Sequence, residues 1–311
     1  MTPKRVAWIA AVTAVIYLGV AAFILSNFEL PEMSGFILVL VGLAAVSQIG
    51  AKWFFGLLFR ESVEETGGTL RPYSAFKGAL VGAGVARLIP VGGAITPVAM
   101  SWTVRNEAEG ATGAAIRTVL LNYAGLLMLA GVGLLVARPR ESVQFATVSL
   151  VVLAPFALFV GVVLMFGSGR LGSVHKYLPR FIKKRLETTM VNHMPALESQ
   201  IYLWARLVLE AGALGLVLIA FGIDVNLFQV AAAFGVGQLV GGLPGTPGGI
   251  GLTEVGLIFI LAAYGFAAPT TVAPVLIFRL ISYWLPAGLG FLAGGMTFLR
   301  SDEAKAASDA V

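Results

Sequence analysis

The chain has 311 residues, of which 58% are hydrophobic and only 12% are charged, and its mean hydropathy is +0.90. This composition excludes a soluble globular domain and predicts an all-α, polytopic integral membrane protein. The chain contains no cysteine, which excludes thiol catalysis, disulfides and cysteine-ligated metal. Its two histidines, His175 and His193, have no partner at metal-ligand spacing, so we expect neither a metal nor another cofactor.

The first apolar segment, residues 6–25, follows Lys4 and Arg5 and is long enough to cross a bilayer. A cleaved signal peptide is the alternative interpretation. It is disfavoured because no convincing cleavage site follows and a second apolar segment, residues 34–58, comes at once. The basic residues before the first span place the N-terminus in the cytoplasm.

Residues 74–104 contain two apolar limbs that meet at Pro90, Gly92, Gly93 and Pro97. A limb of about 15 residues reaches about 22 Å, whereas the hydrocarbon core is about 30 Å thick. Neither limb can therefore span the membrane alone. We predict a re-entrant hairpin that enters from the cytoplasm and returns to the same side.

Two complete spans, residues 113–136 and 145–167, follow this hairpin and end the N-terminal half, residues 1–167. Residues 168–199 form a basic linker that supplies much of the net charge of +5. Such a segment is typical of a loop that faces the cytoplasm and its anionic lipids, and we expect no nucleic-acid partner.

The C-terminal half, residues 200–311, begins with a span at 200–221. Within this span Arg206 and Glu210 lie one helical turn apart and could pair on one face of the helix. The last span is residues 270–298, followed by a short polar tail. Both chain termini are then cytoplasmic, and the predicted location is the cytoplasmic membrane of a bacterium.

A second broken hairpin, residues 228–266, lies between those two spans. The stretch from Gly235 to Gly251 holds eight glycines and two prolines, and Pro244 and Pro247 must interrupt the helix. Inside a bilayer, a broken backbone is stable only where it is buried in protein or lines a wet cavity. The break itself therefore indicates a site.

The two halves repeat one pattern, in which a full span, a broken hairpin and another full span follow each other at 34–136 and at 200–298. The first hairpin opens inward and the second outward, as in the inverted repeats of many transporters, whose broken elements meet near the midplane. This interpretation gives about six full transmembrane helices and two re-entrant hairpins. The alternative makes every limb a tilted, complete span and gives about ten helices.

Two runs in the second half carry a family resemblance, LPGTPGGIGLTEVGLIF at 243–259 and FRLISYWLPAGLG at 278–290. They resemble the membrane domain of bacterial lysylphosphatidylglycerol synthetases and of its stand-alone, flippase-like relatives. In the first half, ARLIPVGGAITPVAMSW at 86–102 is similar to the N-terminal motif of that family. The resemblance covers about residues 6–300. It implies a lipid flippase-like fold that moves a phospholipid or a polyprenyl-phosphate-linked headgroup between leaflets.

The chain departs from the family pattern in two places. The bifunctional synthetases carry a soluble aminoacyl-transfer domain after the membrane part, whereas this sequence ends at Val311, so we expect no synthase activity in it. Many relatives also place a Glu and an Arg after the first-half Pro and Gly, where this chain has Ala94 and Ile95. The identity of the substrate therefore cannot be transferred from the family.

Five ionisable residues in apolar segments are candidates for chemistry, because charge at membrane depth is costly: Lys77, Arg87, Glu210, Glu254 and Arg279. One interpretation is structural, with Arg87 or Arg279 neutralising Glu254 and locking the two halves together. The functional interpretation is that the arginines and the free amides at the hairpin tips bind a lipid phosphate. Glu254 would then hold a cationic or hydroxylated headgroup, or a coupling proton.

Aromatic and amide side chains complete the set of candidates. Tyr283 and Trp284 either line the headgroup path or form an interfacial belt, and a belt is the commoner role. Asn122 and Gln238 lie in apolar runs, where such residues more often bond a neighbouring helix than a substrate. The predicted substrate-binding residues are Arg87, Pro90, Gly92, Gly93, Pro244, Pro247, Gly248, Gly249, Glu254, Arg279, Tyr283 and Trp284.

Three functions remain open from the sequence. The first is a transporter that carries an anionic lipid headgroup through a polar cleft, without enzymatic activity. The second is a membrane-embedded glycosyl- or aminoacyl-lipid transferase, which is disfavoured because the chain lacks paired Asp residues. The third is an accessory scaffold for a lipid-modifying enzyme. A lipid-synthesising partner enzyme and a homo-oligomer are both compatible with the sequence.

Overall fold

The computed structural model describes residues 35–87, 95–137, 152–166, 195–243 and 247–295, together with the isolated positions Val15, Gly19, Ala22, Ser26 and Val148. All regular structure in the described residues is helical. The helices are α1 (Gly35–Glu64), α2 (Pro72–Ala86), α3 (Thr96–Thr103), α4 (Ala111–Ala137), α5 (Ala154–Phe166), α6 (Leu197–Ala220), α7 (Leu227–Gly241), α8 (Leu252–Ala263), α9 (Ala268–Arg279) and α10 (Leu285–Gly290). A π-helical turn, Leu280–Trp284, joins α9 to α10, and another, Phe291–Gly295, follows α10.

Four of these segments are long and apolar enough to cross a membrane, namely α1, α4, α6 and the continuous helix Ala268–Gly294. The prediction of an all-α, polytopic membrane protein is therefore confirmed. Of the other predicted spans, residues 6–25 lie outside the described part apart from isolated positions. Residues 145–167 are described only from 152 to 166, again with one isolated position before them. The linker as far as residue 194 and the C-terminal tail also lie outside it.

The first broken segment is a hairpin of two antiparallel helices, α2 and α3. At its closed end Gly82 packs against the backbone of Thr96, and at its open end the Ser74 hydroxyl donates to the Glu107 carboxylate at 2.8 Å. The limbs have 15 and 8 residues, which correspond to about 22 Å and 12 Å. Neither limb is long enough to cross a hydrocarbon core of about 30 Å.

The second hairpin joins α7 and α8 through a 3-10 turn, Pro247–Gly249. Its limbs have 15 and 12 residues, and Gly241 packs closely against Thr253 at the closed end. Gly248, Gly249 and Gly251 have φ angles of 56°, 71° and 83°, a left-handed conformation that glycine adopts without steric cost. A Cβ on Gly249 would also lie 2.4 Å from the Gly241 carbonyl oxygen. The glycine-rich sequence is thus what allows the chain to turn here.

The long helices that precede the two hairpins run in opposite directions. Helices α1 and α6 pack antiparallel. Lys52 meets Glu210 near the middle of the pair, while Glu65, beyond the end of α1, accepts from the Ala196 amide just before α6 at 3.0 Å. Because α2 follows the end of α1 and α7 follows the end of α6, the two hairpins open toward opposite ends of the bundle.

Each hairpin packs against the last long helix of the other half. In one contact α2 meets α10, where Gly84 and Gly290 bring the two backbones together. In the equivalent contact α7 meets α4, where a Cβ on Gly133 would lie 2.4 Å from the Ala232 amide nitrogen. Small residues permit this close approach, as is typical of helix pairs in membranes. The helix Ala268–Gly294 thus contacts both the end of α2, through Tyr283 and Arg87, and the turn before α8, through Arg279 and Gly248.

Candidate functional site

The tip of the second hairpin is held by an ion pair between Glu254 and Arg279. The Nε atom of Arg279 donates to Oε1 of Glu254 at 2.7 Å, and Nη2 donates to the Gly248 carbonyl at 3.3 Å. The other carboxylate oxygen, Oε2, accepts from the Gly251 amide at 2.8 Å and so caps the start of α8. Arg279 is therefore the arginine that neutralises Glu254. Both oxygens of this carboxylate accept hydrogen bonds from the protein, and its charge is paired with that of Arg279.

Arg87, at the end of α2, bonds carbonyl groups instead of Glu254. Its guanidinium donates to the carbonyls of Ala83 at 2.5 Å and Ser282 at 2.9 Å. In return the Tyr283 hydroxyl donates to the Arg87 carbonyl at 2.6 Å. The tip of the first hairpin is thereby tied to the π-helical turn of the other half.

Tyr283 lies at the junction of the two tips. It is only 1% exposed, and the guanidinium carbons of Arg87 and Arg279 lie 5.3 Å and 5.1 Å from its ring centroid. Both distances fall within the range of cation–π attraction. Tyr283 is thus buried in the bundle and is not part of an interfacial belt. The neighbouring Trp284 is partly buried, and its ring lies 5.4 Å from that of Tyr283.

A buried cluster of three charges joins α1 to α6. The Lys52 Nζ atom donates to Oε1 of Glu210 at 2.5 Å, and Arg206 Nη2 donates to Oε2 at 3.0 Å. The Arg206 guanidinium also lies 4.6 Å from the ring centroid of Phe55. The predicted pairing of Arg206 with Glu210 is therefore present, and Lys52 is a third member that the sequence did not reveal.

These charged groups surround a central cavity with two adjoining lobes of about 150 Å³ each. Four basic side chains and one carboxylate lie in its wall, which leaves a formal excess of three positive charges among the described lining residues: Lys52, Arg87, Arg206 and Arg279 against Glu210. Glu254, which pairs with Arg279, lowers the local excess to two. The cavity is therefore electropositive.

The cavity lies at mid-height in the bundle. Lys52, Asn122 and Glu210 contribute to its wall, and each is ten residues or more from either end of its helix. At 1.5 Å per residue that is about 15 Å or more. Thr96 and Thr253, at the starts of α3 and α8, also line it, so the positive ends of two helix dipoles face the same space.

Several buried donors in this wall have no hydrogen-bond acceptor among the described residues. They are Nε and Nη1 of Arg206, Nε2 of Gln48 and the hydroxyl of Ser282. Arg206 is 7% exposed and Gln48 is 1% exposed. Buried polar groups in proteins are nearly always satisfied, so a cluster of open donors indicates a place where a ligand or water accepts hydrogen bonds.

The predicted site residues separate into three groups. Arg87, Gly248, Arg279 and Tyr283 line the cavity, while Glu254 supports Arg279. Gly249 and Pro247 belong to the turn at the second tip, and Trp284 is not among the cavity-lining residues. Pro90, Gly92, Gly93 and Pro244 lie outside the described residues.

Lys77, another predicted candidate, is exposed near the open end of the first hairpin and does not reach the cavity. Conversely, Gln48, Lys52 and Ser282 line the cavity without having been predicted. Lys52 lies well inside α1, which continues for twelve more residues, as far as Glu64 and beyond the predicted end of the span at residue 58. Its place in the buried cluster is evident only from its contact with Glu210, which is 158 positions away in the sequence.

The chain is similar along most of its length to a known family. The family model described as Lysylphosphatidylglycerol synthase TM region matches residues 5–290. Two UPF0104 membrane proteins of Methanothermobacter thermautotrophicus are also similar, at 32% identity over 87 residues and 33% identity over 82 residues. These two matches cover 28% and 26% of this chain, and each spans 25% of the relative's length. The extended family match confirms the resemblance, and the chain belongs to the family described as Lysylphosphatidylglycerol synthase TM region.

Proposed function

We propose that this protein moves an anionic lipid headgroup between the two leaflets of the cytoplasmic membrane through the central cavity. In this proposal the two hairpins are re-entrant, the first entering from the cytoplasm and the second from outside. Both chain termini are then cytoplasmic. The observation that carries the proposal is the electropositive cavity at mid-height in the bundle, whose wall holds buried donors that have no acceptor among the described residues.

The length of the limbs supports the re-entrant arrangement. The limbs α3 and α8 correspond to about 12 Å and 18 Å of helix, well short of a hydrocarbon core of about 30 Å. Their N-terminal ends border the cavity, and a helix start inside a bilayer is stable only where protein or water surrounds it. Discontinuous helices that meet at the midplane are also how many transporters form their substrate sites.

The chemistry of the wall supports a phosphate as the transported group. The Nε and Nη1 atoms of Arg206 have no acceptor among the described residues, and a guanidinium can bind two phosphate oxygens in one plane. A headgroup in the hydrocarbon core would otherwise lose its hydration at a cost of many kcal/mol. Replacing water by fixed donors and positive charge lowers that barrier, and it requires neither a nucleophile nor a metal.

Reconstitution into liposomes tests this proposal. The vesicles carry a trace of phosphatidylglycerol with a fluorophore on its acyl chain, and dithionite bleaches only the outer leaflet. If the protein moves the lipid, bleaching proceeds beyond the outer half and approaches completion. Bleaching that stops at the level of protein-free vesicles, for phosphatidylglycerol and for a polyprenyl phosphate alike, would refute the proposal.

A pair of matched variants then locates the path. Arg206→Gln should lower the exchange rate at least about tenfold, because it removes the charge and the forked donors from the cavity. Arg60→Gln makes the same chemical change in a pair with Glu64 whose side chains are 34% and 31% exposed. That variant should exchange lipid at the wild-type rate. Equal loss in both variants would mean that the cavity is not the path.

A further inference from the structure

We infer that the central cavity selects headgroups of net negative charge and rejects those that carry an ammonium group. The accepted class is a phosphate bearing either no further group or a neutral, hydroxylated one. The rejected class includes zwitterionic amine headgroups and aminoacylated, cationic ones. This inference rests on the proposed transport function, and it concerns which lipids the same cavity accepts.

The first argument concerns the carboxylates near the cavity and the cations with which they pair. A cationic headgroup needs an acceptor of opposite charge, and the described part of the cavity region offers only Glu210 and Glu254. Both oxygens of Glu210 are engaged by Lys52 and Arg206, and both oxygens of Glu254 by Arg279 and the amide that it caps. An ammonium group would therefore meet no carboxylate whose charge is not already paired with a cation.

The second argument concerns the net positive charge of the side chains around the cavity. With both carboxylates counted, the four basic residues still leave an excess of two positive charges around a buried space. In such a space charges interact several times more strongly than in water, so the excess attracts a phosphate and repels an ammonium group. A net-anionic headgroup would compensate the excess, whereas a zwitterion would bring one unfavourable charge with each favourable one.

The third argument concerns the neutral amide side chains in the cavity wall. Asn122 lies in the walls of both lobes, and its Oδ1 atom is buried without a donor among the described residues. Gln238 lies in both walls as well. An amide oxygen accepts a hydrogen bond from a hydroxyl group and does not neutralise a cation. Together with the open donors of Arg206, these groups fit a phosphate that carries a small polyol such as glycerol.

The selectivity can be measured on the wild-type protein alone. Liposomes of one bulk composition would contain a trace of fluorescent phosphatidylglycerol, phosphatidylethanolamine or lysylphosphatidylglycerol, with the fluorophore on the acyl chain in each case. We expect phosphatidylglycerol to exchange at least about tenfold faster than either amine-containing lipid, a difference of about 1.4 kcal/mol. Equal exchange of all three lipids would overturn the inference and leave the transport function intact.

A binding assay tests charge selectivity independently of transport. Native mass spectrometry of the detergent-solubilised protein would compare retention of the same three lipids, with inorganic phosphate as a competitor. Preferential retention of phosphatidylglycerol without any exchange would keep the charge selectivity and refute transport. Displacement of the lipid by millimolar phosphate would show that the phosphate group alone is recognised, whereas no displacement would show that the whole lipid is required. Equal retention of all three lipids would overturn the selectivity.

A third experiment measures how lipid preference changes when a substitution alters only the charge of a cavity side chain. Asn122→Asp is nearly isosteric and adds one negative charge to the cavity wall, so it should reduce the preference for phosphatidylglycerol over phosphatidylethanolamine at least about threefold. Asn226→Asp makes the same change at the N-cap of α7, where Asp also caps well, and should keep the wild-type preference. An unchanged preference in Asn122→Asp, with the protein folded, would count against charge as the basis of selection.

Discussion

Substitution of Glu210 by glutamine tests whether the buried charge cluster holds the two halves together. The side chain keeps its size and can still form hydrogen bonds, but the only carboxylate between Lys52 and Arg206 among the described residues is lost. Both partners are buried, with side chains 7% and 9% exposed. Two buried cations would then face each other without the carboxylate that pairs with both of them.

The expected cost follows from the geometry. The carboxylate receives two charge-assisted hydrogen bonds, at 2.5 Å and 3.0 Å, and each such bond contributes about 1.5–3 kcal/mol. Removing one member of a buried ion pair costs about 3–5 kcal/mol, because the remaining charge is left uncompensated. We therefore expect Glu210→Gln to lower the free energy of unfolding by about 3–5 kcal/mol.

The assay is reversible unfolding in mixed micelles of a mild detergent and increasing dodecyl sulfate, followed by circular dichroism. Glu64→Gln is the matched control on α1, since its pair with Arg60 is about one-third exposed and is worth no more than about 1 kcal/mol. A Glu210→Gln variant that unfolds within 1 kcal/mol of this control would refute the reasoning. In that case the cluster would contribute no more than a surface ion pair.

Two further substitutions probe the contacts between halves. Gly133→Ala places a methyl group against the backbone of Ala232 and should lower the free energy of unfolding by about 1–3 kcal/mol in the same assay, whereas Gly212→Ala, which meets no atom within 4 Å, should not lower it. Equal stability of the two variants would contradict the close packing. Tyr283→Phe removes the hydroxyl that donates to the Arg87 carbonyl and should cost about 0.5–1.5 kcal/mol. It should also speed amide hydrogen exchange at the end of α2, and an unchanged exchange rate there would show that this bond does not hold the tip.

Much of the fold could be predicted because the relevant signals are local. Pro244, Pro247 and the glycines around them predict an interrupted helix, and in the structure α7 ends at Gly241 and α8 begins at Leu252. The same pattern repeats in both halves, so helices that run in opposite directions could be expected, and α1 does pack antiparallel to α6. The pairing of Arg206 with Glu210 was likewise predictable, since residues one turn apart share a helix face.

The candidate site was less predictable because its contacts are long-range. Lys52 meets Glu210 across 158 residues of sequence, and nothing near Lys52 indicates a buried partner. Either Arg87 or Arg279 was expected beside Glu254, yet the Arg87 guanidinium donates to the Ser282 carbonyl, which lies in the π-helical turn Leu280–Trp284. Side-chain spacing alone cannot predict such a backbone irregularity.

The central claim is that lipid headgroups pass through the cavity, and a cysteine block tests it most directly. The chain has no native cysteine, so Asn122→Cys in the cavity wall and Val255→Cys, at a position 65% exposed on α8, provide single labelling sites. A bulky thiol reagent should stop phosphatidylglycerol exchange in the Asn122→Cys protein and leave it unchanged in the Val255→Cys protein. Full exchange with the cavity residue labelled to completion would contradict the account.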